Sequence, residues 1–360
     1  MNPEKRIVAS FEIPYYRFLD AQGKAIAALP EFAKDKETLV ALYRMMMLLR
    51  LFDKKAIAMQ RTGKIGTYPS TLGQEAIGVG VGSAMLPEDI LCPYYREYGA
   101  QFWRGVKMEE VLLYWGGDER GSDFANNQQD FPICVPIASQ TLHAVGAATS
   151  VKLQQQKKVV VTIVGDGGTS RGDFYEAVNL AGIWELPVVF VINNNQWAIS
   201  VSRSQQTKAE TLAQKALAGG IEGWQVDGND IIAVKERVQA AIDKARQGGG
   251  ATVIEAISYR MGDHTTADDA SRYRENQELK ENEKFDPILR LRNYMVSMRF
   301  WDEKQEKALL EALTLEINEA VERFLAIPAQ APESMFDYLY ATLPDAYASQ
   351  REEVKMGAKS

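Results

Sequence analysis

The sequence predicts an α/β fold, a doubly wound parallel sheet with helices on both faces, and three observations carry that prediction. Two short, fully apolar runs, "VVVTIV" and "PVVFVIN", lack the alternation of a strand with one wet face, so both of their faces must be covered. Between them "DFYEAVNLAGIW" has helical spacing, which makes a strand–helix–strand unit. A third run of strand type, "ATVIEAISY", follows the helix "DIIAVKERVQAAIDKARQ" and a "GGG" break. With 360 residues, 46% of them apolar, the chain can bury a large core.

The elements follow in order. Residues 1–36 read as an irregular arm, because Pro3, Pro14, Gly23 and Pro30 interrupt every periodic stretch. Residues 37–345 read as one α/β domain with C-terminal helices, and 346–360 as a fraying tail. Helical patterning runs from about Lys36 to Arg61; Arg44 and Arg50 inside it suit a buried helix and not a bilayer span. "TLGQEAIGVGVGSAM" is a small-residue helix that packs closely on a neighbour. Its glycines make no dinucleotide fingerprint, since Ser83 takes the last glycine's place and no strand precedes it. From about Glu109 to Pro136 the text is loop-like. "SQTLHAVGAATSVKLQQQ" is a helix before the first apolar strand. After the second come a helix around Lys208 to Ala218, a short "EGWQVDG" segment, and, late in the chain, charged helices such as "DEKQEKALLEALTLEINEAVERFL".

Composition excludes several classes. A net charge of −7 without Lys/Arg clusters argues against nucleic acid as a partner. Two cysteines, Cys92 and Cys134, stand without metal-ligand spacing, so a disulfide framework or zinc site is not expected and the cytoplasm is the natural location. The opening "MNPEKRIVASFEIPYY" has no signal-peptide core, and a membrane partner is not expected.

The stretch "IVGDGGTSRGDF" places Asp166 one residue past the first apolar strand, and Asn195, 29 residues later, lies just past the second. A right-handed crossover brings both to the carboxyl edge of one sheet, where such folds bind ligands. An Asp that caps a helix and an Asn in a turn are each common singly; their joint placement is what points to a ligand. Two hard oxygen donors suit Mg²⁺ carrying the phosphates of a bound molecule. Gly165, Gly167 and Gly168 allow close backbone approach to a phosphate, and the helix beginning near Asp173 aims its positive end the same way. Neither G-x-x-x-x-G-K-[ST] nor an intact G-x-G-x-x-G occurs here, since Ser170 holds the third glycine's position.

"GDGGTSRGDF" followed by "NNNQWAIS" is similar to the thiamine-diphosphate motif, and the flanking text resembles the alpha subunit of the two-chain 2-oxo acid dehydrogenases. "GQEA", "YYREYG", "IASQ", "QVDGND", "YRMGDHTTADD" and "DPILRLR" fall in that family's order across nearly the whole chain. The resemblance implies the thiamine-diphosphate-binding fold, with thiamine diphosphate and Mg²⁺ as cofactors. It implies Asp166, Asn195 and the Trp197 carbonyl as metal ligands, and Gly167 and Gly168 along the diphosphate. Tyr95, Arg96 and Arg260 match diphosphate contacts, for which a guanidinium fork is suited. Ile137 matches the residue beneath the bent cofactor. His264 matches a loop histidine near the reacting centre, able by its type to exchange protons near neutrality. His143, the other histidine, is assigned to packing or surface.

The activity implied is oxidative decarboxylation of a 2-oxo acid with transfer of the acyl group to a lipoyl group. Pyruvate is favoured as substrate, and branched-chain acids such as 3-methyl-2-oxobutanoate are the alternative. The glutamate that activates the cofactor comes, in this family, from a beta subunit, and no candidate for it is evident here. The expected state is an α₂β₂ heterotetramer docked on a lipoyl-bearing acyltransferase core. The alternative of another class is a non-catalytic sensor of a phosphate ligand on the same fold.

Overall fold

A computed structural model describes residues 3–357; residues 1–2 of the arm and 358–360 of the tail lie outside the described residues. The strands are β1 (Tyr15–Tyr16), β2 (Ile90–Cys92), β3 (Val160–Gly165), β4 (Val188–Asn194), β5 (Trp197–Ala198), β6 (Val201–Ser202), β7 (Glu222–Asp227) and β8 (Thr252–Ile257). The helices that frame them are α1 (Lys36–Arg61), α2 (Glu75–Ala84), α3 (Tyr98–Trp103), α4 (Met108–Trp115), α5 (Ser139–Leu153), α6 (Gly172–Ile183), α7 (Arg203–Gln206) and α8 (Ile231–Arg246). Further helices, α9 (Asn276–Glu283), α10 (Pro287–Ser297), α11 (Glu303–Ala326) and α12 (Ala348–Gly357), complete the chain.

Six strands form one parallel sheet in the order β1-β7-β8-β4-β3-β2, and β5 and β6 form a separate antiparallel hairpin. The strands are apolar throughout because successive side chains point to opposite faces and each face has its own helical cover. Val161, Ile163, Val189 and Val191 pack with Ile77 and Val81 of α2 and Val234 and Val238 of α8. Val160, Val164, Phe190 and Ile192 pack on the other side with Val145 and Ala148 of α5 and Phe174 and Ala177 of α6. Each such fully buried aliphatic side chain contributes about 1.5–3 kcal/mol relative to exposure. A third cluster joins α1, α10 and α11, with Met46, Phe52, Leu291 and Leu313 at its centre. Helix α1 begins where the Asp35 carboxylate accepts the Thr38 N–H at 2.8 Å, a side-chain N-cap.

Four stretches differ from the sequence reading. Residues 108–115, read as loop, form α4; Glu110 Oε2 accepts the Lys107 N–H at 2.7 Å, and Val111 and Leu112 are buried beneath a text dominated by neighbouring Gly and Asn. "EGWQVDG" is a full strand, β7, held between β8 and β1, the short strand that the arm adds to the sheet edge. The helix expected over 208–218 is a 3-10 helix over Ala213–Gly219; Glu255 Oε2 accepts the Leu212 and Ala213 N–H groups at its start, and at its end a Cβ on Gly219 would lie 2.6 Å from the Val178 carbonyl oxygen. In the tail, residues 348–357 are helical. Among the described residues no helix is long and apolar enough to cross a membrane.

Candidate active site

Strands β3 and β4 are direct neighbours, with Gly165 opposite Asn193 in the register, so Asp166 and Asn195 leave the same edge of the sheet side by side. They border a cavity of about 250 Å³, which Tyr95, Arg96, Ile137, Gly167, Gly168, Trp197 and His264 also line. Arg260 does not reach that wall. It stands behind it, donating to the Trp197 carbonyl at 3.3 Å, the Ile199 carbonyl at 2.8 Å and the Tyr273 hydroxyl at 2.7 Å.

The two glycines serve protein packing. A Cβ on Gly167 would meet Ala198 Cβ at 2.5 Å, and one on Gly168 would meet Val164 Cγ2 at 2.5 Å. Their bareness lets the 3-10 turn Asp166–Ser170 nest between the sheet and the β5–β6 hairpin. That hairpin is itself held under strain, with Gln196 at φ 73° and Ile199 at φ 52°, a left-handed conformation that a β-branched residue rarely adopts.

Asp166 is 2% exposed, and burial raises its pKa above the usual carboxylate range; its Oδ2 accepts a hydrogen bond from Gln206 Nε2 at 2.5 Å. Asn195 donates through Nδ2 to Gln74 Oε1 at 2.8 Å, which orients the amide so that Oδ1 is its acceptor end, taking the Trp197 N–H at 3.2 Å. Arg96 is 3% exposed and donates to the carbonyls of Ser70 at 2.5 Å and His264 at 2.9 Å.

The buried arginines of the interior differ in their partners. The buried Arg104 and Arg290 each face a carboxylate, Asp130 at 2.6 Å and Asp227 at 2.7 Å. Among the described residues Arg96, Arg260 and Asp166 form no ion pair, and both guanidiniums leave Nε without a partner. Buried charge of that kind is costly unless something supplies the missing counter-charge. A carboxylate asks for a cation and guanidiniums for an anion; a divalent ion chelated by a diphosphate satisfies both at once.

Two guanidiniums flank one nitrogen of His264: Arg96 and Arg260 each stand 3.3 Å from Nδ1. Nδ1 is therefore assigned as acceptor and Nε2 as the protonated nitrogen. Burial, then the Arg96 and Arg260 charges, push its pKa down to about 3, so the proton exchange near neutrality expected of a loop histidine is displaced. Because the folded value lies below the unfolded one, the neutral ring's contribution to stability is complete above roughly pH 6.5 and is lost as pH falls from there toward 3. An NMR titration of the cofactor-free protein is expected to find the His264 ring neutral from pH 8 to pH 5. A midpoint near 6.5 would contradict the arrangement.

Residues to which the sequence assigned no role complete the site. Gln74 and Gln206 hold Asn195 and Asp166. Glu97, directly after Arg96 in "YYREYG", is buried behind Tyr94 and pushed up to about 8 by burial, with Asn193 Nδ2 at 3.4 Å. Only its position inside that motif signals it. His143 is exposed and stacks on Phe131.

A family model described as "Dehydrogenase E1 component" matches residues 43–333. The chain belongs to the dehydrogenase E1 component family. It is similar to the pyruvate dehydrogenase E1 component subunit alpha of Acholeplasma laidlawii, 41% identical over 338 residues that cover 93% of this chain and 98% of that protein. The protein of the same name from Mycoplasma genitalium is 39% identical over 340 residues, 94% of this chain and 95% of that one. That of Staphylococcus aureus strain COL is 38% identical over 320 residues, covering 89% and 86%. This dehydrogenase E1 component is thus part of a 2-oxo acid dehydrogenase, and such components depend on thiamine diphosphate.

Proposed function

We propose that this E1 chain is the alpha-type half of a pyruvate dehydrogenase, carrying out oxidative decarboxylation with acetyl transfer to a lipoyl group. One observation carries the reading: unpaired charges of opposite sign meet at one cavity at the carboxyl edge of the sheet, Asp166 and Arg96 on its wall and Arg260 behind it. Thiamine diphosphate fits that demand through its diphosphate and a Mg²⁺ ion. Asp166, Asn195 and the Trp197 carbonyl would hold the metal, while Tyr95, Arg96 and the turn at Gly167 and Gly168 would hold the diphosphate, with Arg260 reinforcing from behind. The half-exposed Ile137 offers an apolar support for the rings. When bound, the cofactor supplies the nucleophilic carbon and the electron sink for loss of CO₂. The chain's own share is to orient it, exclude water and present the Nε2 proton of a neutral His264.

Two exposed apolar side chains that line the cavity, Ile137 and Ile199, support a second chain closing the site. That partner is a beta subunit in an α₂β₂ heterotetramer on a lipoyl-bearing acyltransferase core. Two free cysteines agree with a cytoplasmic place.

The test is lipoamide-dependent turnover by the chain alone and with its beta-type partner, each given thiamine diphosphate and Mg²⁺. The chain alone is expected to be inert and the pair to prefer pyruvate over 3-methyl-2-oxobutanoate. Turnover by the single chain would overturn the half-site reading, and the opposite preference would overturn the choice of pyruvate. Cofactor binding by a pair that turns over neither acid would point instead to a sensor.

A further inference from the structure

Lys215 is buried, yet among the described residues it forms no ion pair. Its ammonium donates to the carbonyl oxygen and to Oγ1 of Thr169, each at 2.8 Å, and stands 5.3 Å from the Tyr175 ring centre. An ammonium only donates, so Thr169 Oγ1 accepts from it and turns its own proton toward the Asp166 carbonyl, 2.7 Å away. Two hydrogen bonds therefore connect Lys215 to the main chain of Asp166. A methionine would fill the same stem volume without the burden of a buried ammonium, which burial and the Arg203 charge push down to about 8.

The support of Lys215 is itself built in. Glu255 of β8 accepts the N–H groups of Leu212 and Ala213 through Oε2, at 2.8 and 3.0 Å, which fixes the start of the 3-10 helix carrying the lysine. Its other oxygen accepts Asn194 Nδ2 at 2.6 Å. One buried carboxylate thereby ties the residue preceding Asn195 to the segment that braces the Asp166 turn.

We propose that Lys215 is a positioning residue: acting through Thr169, it holds the turn that presents Asp166, Gly167 and Gly168 to the divalent cation and diphosphate. This rests on the cofactor reading given above. The test is calorimetric titration of Mg²⁺, at saturating thiamine diphosphate, into the assembled two-chain enzyme. Four forms are compared: wild type, Lys215→Met, Thr169→Val and the double variant. Each single change is expected to raise the Mg²⁺ half-saturation about 10- to 100-fold, the usual scale for residues that orient a metal ligand. The double variant should go no further than the weaker-binding single, because both remove one relay. A lysine that only packs would lower the melting temperature of the cofactor-free enzyme and leave Mg²⁺ affinity unchanged, or would add independently to Thr169→Val; either result overturns the proposal. If Lys215→Met does not assemble, Thr169→Val alone decides, and wild-type affinity in that variant refutes the relay. A wild-type enzyme that binds no thiamine diphosphate with Mg²⁺ removes the site reading and this proposal together, whereas normal wild-type binding with unaffected variants removes only this one.

Discussion

Asp166→Asn in the assembled enzyme is expected to abolish the rise in melting temperature that thiamine diphosphate with Mg²⁺ produces, while the cofactor-free enzyme stays as stable as wild type or becomes more so. The amide keeps the shape of the side chain and an oxygen for Gln206 Nε2, so the local packing survives. What it loses is the charge. Burial raises the folded pKa of Asp166 above its unfolded value, so the carboxylate's contribution is most favourable below the unfolded pKa and turns against the fold as pH rises through the folded one. The charged form of Asp166 therefore burdens the empty site, and a divalent cation relieves it. A direct ligand should cost more than the roughly 10- to 100-fold typical of outer-sphere changes in metal affinity. Scanning fluorimetry with and without the cofactor pair measures both halves, and a variant that keeps the full cofactor-induced shift would contradict Asp166 as a ligand.

Arg96→Met should weaken thiamine diphosphate binding by about 10- to 100-fold, the scale of a lost charge-assisted hydrogen bond of about 1.5–3 kcal/mol. Its effect on the cofactor-free fold should be small beside that of Arg104→Met. Arg104 is paired with Asp130, and removing it strands a buried carboxylate at a cost of about 3–5 kcal/mol, whereas no carboxylate pairs with Arg96. The same change removes one of the two cations beside His264, so the ring's pKa should move upward from about 3. Calorimetry of thiamine diphosphate binding, denaturant melts and the His264 NMR titration read these three effects separately. Unchanged cofactor affinity would remove Arg96 from the diphosphate site. Arg260 differs in kind, since its two Nη groups are engaged by Trp197, Ile199 and Tyr273, and it acts on the cavity through the hairpin that it props.

Much of the frame is legible in the residues themselves. Strands β3 and β4 are continuous apolar runs, and α1 has the boundaries its periodicity predicts, Lys36 to Arg61. Strand β7 was harder to see because "EGWQVD" is apolar only in part, and its place in the sheet depends on pairing with β8 and β1. Helix α4 was hidden for the opposite reason: its eight residues are few beside the glycine- and asparagine-rich text that follows them.

The sequence by itself determined the β3–α6–β4 unit, helices α1, α5 and α8, strand β8, and the carboxyl-edge positions of Asp166 and Asn195. It also set the residue types at the cavity, because burial periodicity and turn chemistry act over a few neighbouring residues. Only the tertiary structure decided that β3 and β4 lie side by side and that Gln74, Gln206 and Lys215 grip the two turns. It likewise decided that His264 is neutral between two guanidiniums. Those side-chain contacts join residues 40 or more positions apart, save for His264 and Arg260, which are four apart. A pKa or a hydrogen bond of that kind is set by which surfaces the packed core presses together, and no local pattern in the chain records it.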